Sequence, residues 1–189
     1  ASNTGTLLST GGTTNITVGD DIRVRANSAI TVSGGTVNLN PADAFITEGT
    51  SGNAATIAVS NTGSLNIDIT SARSDNNQIT LGQHDTLNIT GSNANATFIG
   101  QSNSAINLNG TTTLASGGTL TTQNGTTTLG ATAQLNGGSA PDKGTLVVQN
   151  GNLTVNNAAL IVNAPNLTFN ASGSQTFNEA APDTSVQNL

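Results

Sequence analysis

The most constraining feature of the sequence is a short, unchanged repeat. The hexad Asn-Gly-Thr-Thr-Thr-Leu occupies residues 109–114 and returns at residues 124–129, 15 positions later. Each copy joins an Asn-Gly turn signal to β-branched residues and one leucine that can face inward. A unit this short cannot bury its own apolar side, so it becomes stable only by stacking on neighbouring units. The repeat therefore predicts a solenoid.

Short strand candidates follow one another along nearly the whole chain. Apolar and polar residues alternate within them, as at Ile106 and Leu108, and Gly, Asn, Asp or Ser stands at the junctions. Strand starts recur roughly every seven to eight residues, so three strands with tight corners predict a coil of about 22 residues. In the C-terminal part Leu153, Leu160 and Leu167 repeat this spacing of seven.

These patterns predict an all-β fold, a parallel β-helix of about eight coils and roughly 40 Å length. We expect one solenoid domain over residues 1–178, followed at 179–189 by an irregular tail, linker or exchanging strand. The choice between two and three faces stays open, because the repeat of 15 residues differs from the coil length. Either the repeat spans two strands of a three-strand coil, or the chain is not a regular β-helix. The alternative is an antiparallel β-sandwich of pilin-like type.

Several segments interrupt the strand pattern. For residues 40–45 (NPADAF) a corner loop is favoured over a single helical turn, although proline suits the first helical position. Residues 71–77 and 136–144 are expected to form longer surface loops. Asparagines at the corners are expected to adopt left-handed backbone angles, and to form side-chain ladders along the stack.

The composition excludes several classes of function. Thr, Asn, Gly and Ser make up over half of the chain, and charged residues only 7%. The chain has only four Lys and Arg residues and a net charge of −6. It therefore lacks the basic surface that a nucleic-acid-binding protein needs to neutralise phosphates. A basic anchor for anionic membranes is also lacking. No apolar run approaches the roughly 20 residues of a transmembrane helix. There is no cysteine for a disulfide or thiolate site.

His84 and Asp85 form the pair that most resembles part of a catalytic triad. A triad would need a serine placed against His84 by the fold, and serine is too common here to identify one. A histidine in the polar turn Gly82–Asp85 is expected to be solvated. We therefore predict a non-enzymatic protein, with no catalytic, cofactor-binding or metal-binding residues.

Asp20 and Asp21 form an acidic pair that could offer oxygen ligands to calcium. The glycine-aspartate nonapeptide of calcium-binding β-rolls is absent from the sequence. Arg23 and Arg25 follow closely, so a surface ion pair is the favoured interpretation.

Threonine pairs with one intervening residue suggest a further class, the ice-binding solenoids, in which rows of threonine order water on a flat face. Such rows require the pairs to be aligned on one face. Threonine is also a common strand residue, so an ordinary strand role is favoured. The pairs are Thr111 with Thr113, Thr119 with Thr121, and Thr126 with Thr128.

The stretches SGGTLTTQNGTTTLGATAQLNGG (116–138), NTGSLNIDIT (61–70) and GTLVVQNGNLTVNNAALIV (144–162) resemble the β-helical passenger regions of bacterial autotransporters and two-partner haemagglutinin-type adhesins. The resemblance covers most of the chain through composition and periodicity. It implies a right-handed parallel β-helix, secreted and displayed on the bacterial cell surface, that serves as an adhesin or stalk. Its partners would be host or matrix glycans or proteins.

A second hypothesis is a subunit of a self-assembling extracellular filament, matrix or surface layer. Exposed sheet edges and solenoid ends are templates for further strands, and a chain with few charges opposes such pairing weakly. The partner would then be another copy of the chain. Residues 1–10 and 179–189 would be the exchanging strands.

Overall fold

The protein is a right-handed parallel β-helix of about six turns. The computed structural model describes residues 4–70, 78–156, 158–163, 165–170 and 177–179, the last of these by backbone alone. Every pairing between its named strands is parallel. The predicted fold class is confirmed, and the antiparallel sandwich is excluded.

Each turn of the helix, here called a coil, contributes one strand to each of three faces. The first face stacks the first half of β1 (Thr6–Val18), the first half of β3 (Ala29–Pro41), β5 (Thr56–Ser60), β8 (Thr86–Thr90), β11 (Thr111–Ala115), β14 (Gln134–Asn136) and β17 (Leu160–Val162). The second face stacks the second halves of β1 and β3, then β6 (Ser64–Asp68), β9 (Asn95–Ile99), β12 (Thr119–Gln123), β15 (Thr145–Gln149) and β18 (Asn166–Asn170). The third face stacks β2 (Ile22–Arg25), β4 (Phe45–Glu48), β7 (Gln78–Leu81), β10 (Ala105–Leu108), β13 (Thr126–Leu129), β16 (Asn152–Val155) and β19 (Phe177–Glu179).

Two long strands turn the corner between the first and second faces without a break. The sequence predicts separate strands at 6–9 and 15–18, and again at 29–32 and 36–39, but β1 and β3 each run through 13 residues. Paired glycines form the bend in each. A Cβ on Gly35 would lie 2.2 Å from the carbonyl oxygen of Gly12, so the two bends stack too closely for any side chain.

The coils are longer and fewer than the sequence predicts. Leu7 pairs with Ile30, 23 positions later, whereas Ile57 pairs with Leu87, 30 positions later. A spacing of 22 residues underestimates the corners, since it allows only tight turns at all three. Because each coil contains more residues than predicted, the chain forms about six turns instead of eight. Seven stacked strands then span about 29 Å.

The repeated hexad lies on two different faces of one coil. Its first copy enters β11 on the first face, and its second copy enters β13 on the third face, with β12 between them. The repeat therefore spans two strands of a three-strand coil. Both copies bury their middle threonine and their leucine, because alternate residues of a strand face the same side.

The core is a column of apolar side chains enclosed by the three faces. The largest fully buried side chains are Leu39, Phe45, Ile57, Leu65, Ile67, Ile69, Ile79, Leu87, Ile89, Phe98, Ile106 and Leu108. The spacing of seven residues in the C-terminal part predicts the wrong inward residue at one position. Leu160 is 51% exposed, whereas its neighbour Ile161 packs against the core.

One coil carries a threonine layer in its interior. Thr112, Thr122 and Thr127 are each 1% exposed, one from each face, where neighbouring coils place mostly Leu, Ile, Val or Phe. The Thr127 hydroxyl donates to the Thr122 oxygen at 2.8 Å, and Thr122 donates to the carbonyl oxygen of Val147 at 3.4 Å. The Thr112 hydroxyl has no hydrogen-bond partner among the described residues.

We expect Thr112→Val to raise the free energy of unfolding by about 1 kcal/mol, since it removes an unsatisfied buried hydroxyl and keeps the shape of the side chain. Urea unfolding followed by circular dichroism measures the change. The matched control is Thr127→Val, which breaks the bond to Thr122 and is expected to lower stability by about 0.5–1.5 kcal/mol. Equal changes in stability from the two substitutions would contradict the conclusion that the Thr127 hydroxyl is hydrogen-bonded and the Thr112 hydroxyl is not.

The corners confirm part of the prediction about asparagine. Five corner asparagines have positive φ, between 48° and 60°: Asn27, Asn61, Asn124, Asn150 and Asn163. The side-chain ladder lies elsewhere, on the outward side of the second face. Asn38 Nδ2 donates to Asn15 Oδ1 at 2.7 Å, and Asn66 Nδ2 donates to Asn38 Oδ1 at 2.8 Å.

The loops follow the predictions where the structure describes them. Residues 42–44 form a bend between β3 and β4 with no helical turn, and residues 137–144 form an irregular loop that leads into β15. The predicted loop at 71–77 lies outside the described residues. Strand β19 ends at Glu179, where the predicted tail begins, and residues 180–189 also lie outside the described part.

Candidate functional site

The two residues of the histidine–aspartate pair point in different directions. His84 is exposed in the turn after β7, and its Nε2 lies 2.9 Å from the side-chain nitrogen of Gln83. Asp85 is only 1% exposed. The His84 ring faces solvent, whereas the Asp85 carboxylate is buried and accepts hydrogen bonds from Thr47, Gly49 and Ala55, so the pair does not form the hydrogen bond that a triad requires.

Asp85 instead holds two successive corners together. Its Oδ2 accepts hydrogen bonds from the Thr47 hydroxyl at 2.5 Å and from the Gly49 amide at 3.1 Å. Its Oδ1 accepts from the Ala55 amide at 2.8 Å. The Gly82 amide donates in turn to the Thr47 hydroxyl at 2.9 Å. The three contacts of Asp85 use both carboxylate oxygens to hold the corner before β5, and assign Asp85 a structural role.

The charged residues of the first coils form a second cluster. Asp21 Oδ2 accepts from Arg23 Nε at 3.0 Å and from Arg23 Nη2 at 2.6 Å. The other nitrogen of the Arg23 fork pairs with Glu48 on the adjacent strand. The predicted surface ion pair is therefore confirmed for Asp21 and Arg23. Arg25 pairs with Glu48 rather than with the two aspartates, at 3.8 Å.

This pairing also sets the electrostatics of the cluster. Hydrogen bonds that the Arg23 guanidinium donates to Asp21, and next to Glu48, raise the pKa of Arg23, because they stabilise its charged form. Asp20, Asp21 and Asp43 each place a carboxylate oxygen within 4.8 Å of the others, as calcium ligands would. Asp21 already binds Arg23 and accepts from the Ala44 amide at 3.0 Å. The arginine thus supplies the positive charge at this cluster.

The threonine pairs do not form one surface. Thr111 and Thr113 lie on the first face, Thr119 and Thr121 on the second, and the last pair on the third. The alignment that an ice-binding row needs is therefore absent from these three pairs.

The second face carries an uncharged polar surface along two of its outward columns. Its outward residues stand in columns along the stack, since each strand pairs in register with the next. Two columns consist mostly of short polar side chains: Thr13, Thr36, Ser64, Asn95, Thr119, Thr145 and Asn166, and beside them Asn15, Asn38, Asn66, Thr97, Thr121, Val147 and Thr168. None of the 14 positions carries a charge. Such a surface offers hydrogen-bond donors and acceptors at each strand spacing.

Sequence reasoning missed the roles of Asp85 and Glu48. The partners of Asp85 lie 30 to 38 positions away in the sequence, so no local signal marks them. The ladder of asparagines could have been found from their inward neighbours, because Ile16, Leu39 and Ile67 align in the same register.

No protein-family model matches this chain, and no curated protein or solved structure matches it. Among the described residues there is no helix that is long and apolar enough to cross a membrane.

Proposed function

We propose that the chain is a non-enzymatic extracellular rod, a β-helical adhesin or stalk of the bacterial cell surface. The observation that carries this proposal is the uncharged polar surface of these two outward columns of the second face, built on a continuous parallel ladder. The ladder and the apolar core support a stiff rod. The resemblance to adhesin passenger regions, seen in the sequence, supports the location.

The second face suits an extended, neutral partner such as a host or matrix glycan. Thr, Asn and Ser side chains both donate and accept hydrogen bonds, as sugar hydroxyls do. Each contact is weak, but the columns repeat at about 4.8 Å, so a long partner can make many contacts at once. Adhesion would then depend on several coils rather than on one pocket.

The adhesive role is tested with beads that carry the purified chain, washed over surfaces coated with glycans or matrix proteins. We expect wild-type beads to be retained, and the double variant Thr97→Arg with Thr121→Arg on the second face to lose at least tenfold in retention. The matched control Thr128→Arg changes an outward threonine of the third face and should leave retention unchanged.

Lack of wild-type retention on all surfaces would contradict the adhesive role. The stalk role then makes a separate prediction, that the chain lifts a terminal epitope away from a cell surface to which it is anchored. Antibody binding to this epitope is compared between cells that display it on the chain and cells that display it without the chain. Equal binding to the two would contradict the stalk role as well.

A further inference from the structure

The exposed large hydrophobic side chains of the described residues lie at the two ends of the solenoid. Leu8 is 62% exposed in the first coil, and Leu160 and Val162 are 51% and 40% exposed in the last coil. The coils between them place polar or small residues at the corresponding outward positions. Since each coil of a repeat array covers its neighbours, apolar exposure at the first and last described coils offers surfaces on which a further coil can stack.

Leu8 and Val162 belong to one column of the first face. The column runs in register through Leu8, Thr31, Ala58, Asn88, Thr113, Asn136 and Val162. If the last coil of one copy lies on the first coil of another, the column continues and Val162 contacts Leu8. Two exposed apolar side chains would then cover each other.

The inward side chains of the first coil are also incompletely covered. Leu7, Ile16 and Ile22 are only partly buried there, and a cavity of about 440 Å³ opens between apolar side chains of the first two coils. Among the described strands, β1 pairs only with β3 and β2 pairs only with β4. Their other edges therefore present backbone donors and acceptors for a further parallel strand.

The last coil supplies matching groups. Ile161, Leu167 and Phe169 are its inward side chains, partly buried and packed against the core. Stacking would place Phe169 beside Ile16, which repeats the internal neighbours Ile67 and Phe98.

The outward columns of the second face match as well. Stacking would place Asn166 beside Thr13, as it already lies beside Thr145, and Thr168 beside Asn15, as Thr97 lies beside Asn66. The junction would thus reuse residue pairs found inside the solenoid.

We infer that the N-terminal end of one copy binds the C-terminal end of a second copy, so that the parallel sheets continue from one chain into the next. The interface is heterologous, because the two surfaces differ, and it therefore propagates into a filament rather than closing as a dimer. This inference goes beyond the proposed rod function, and holds whether or not the rod is adhesive.

The test uses the full chain at a series of concentrations, with mass measured by light scattering and sedimentation. We expect wild type to form a ladder of multiples of 18.7 kDa that lengthens with concentration. Leu8→Asp and Val162→Asp should each remain monomeric, because a charge at the junction opposes burial. Thr113→Asp, in the middle of the same column, should associate as wild type does.

A mixture of the two blocked variants gives the sharpest result. Leu8→Asp keeps its C-terminal end and Val162→Asp keeps its N-terminal end, so the mixture should form dimers and nothing longer. Both side chains are exposed, so the variants should keep the wild-type circular dichroism spectrum and unfolding midpoint. A monomeric wild type, polymers that persist in both variants, or a mixture that stays monomeric would overturn the inference.

Discussion

Replacement of Asp85 by alanine is expected to lower the free energy of unfolding by about 3 kcal/mol. The change leaves the Thr47 hydroxyl and the amides of Gly49 and Ala55 without their acceptor in a buried corner. Each unsatisfied buried donor costs about 1–3 kcal/mol, while removal of a buried carboxylate offsets part of the loss. Urea unfolding of the two proteins measures the difference.

Two further variants separate the role of Asp85 from a general effect of losing a carboxylate. Asp68→Ala removes an acceptor that serves the amide and hydroxyl of Thr70 at the surface, where water can replace it. We expect it to cost at most about 0.5–1 kcal/mol. Asp85→Asn keeps one acceptor oxygen and should fall between wild type and Asp85→Ala. If Asp85→Ala and Asp68→Ala lose equal stability, the corner does not depend on these contacts.

Gly125→Ala is expected to destabilise the solenoid by about 3 kcal/mol, for two independent reasons. Gly125 has φ of +64°, where an L side chain is strained. A Cβ at this position would also lie 2.3 Å from the carbonyl oxygen of Ser104 in the preceding coil. The coils would have to separate at this corner to admit a methyl group, which would weaken the neighbouring ladder.

Two other glycines isolate these causes. Gly52 has φ of +83°, but no atom lies within 4 Å of the place that a Cβ would take, so Gly52→Ala should show the backbone strain alone, about 1–2 kcal/mol. Gly110 stands at the equivalent place in the other hexad, and its Cβ would lie 2.3 Å from the carbonyl oxygen of Asp85. Gly110→Ala should therefore show the steric cost alone, about 1–3 kcal/mol. A Gly125→Ala loss no larger than that of Gly52→Ala would contradict the close approach.

Much of the fold could be predicted because the signals are local. Alternation of apolar and polar residues places strands such as β7, β10 and β13 at their observed bounds. The same alternation, counted back from Leu114, would have placed Thr112 inside the core. The sequence does not decide the number of faces. The 15-residue period of the hexad lies within one coil, and the coils themselves have no constant period because their corners differ in length.

The rest depends on contacts between coils, which the sequence does not mark. Asp85 stands in the turn GQHD, a typical solvated turn, and only the stacking of another corner buries it. In the run Ala158–Val162 consecutive apolar residues give no alternation, so the spacing of leucines favours Leu160 over Ile161 as the inward residue. The adhesive or stalk function, the extracellular location and the partners remain predictions.

The in-register columns have a consequence for how such a protein can change in size. Each coil contacts only the coil before it and the coil after it. Insertion or removal of a whole coil would therefore leave both terminal surfaces and all other contacts as they are. The length of the rod can then vary in steps of about 4.8 Å while the residues at either end stay the same.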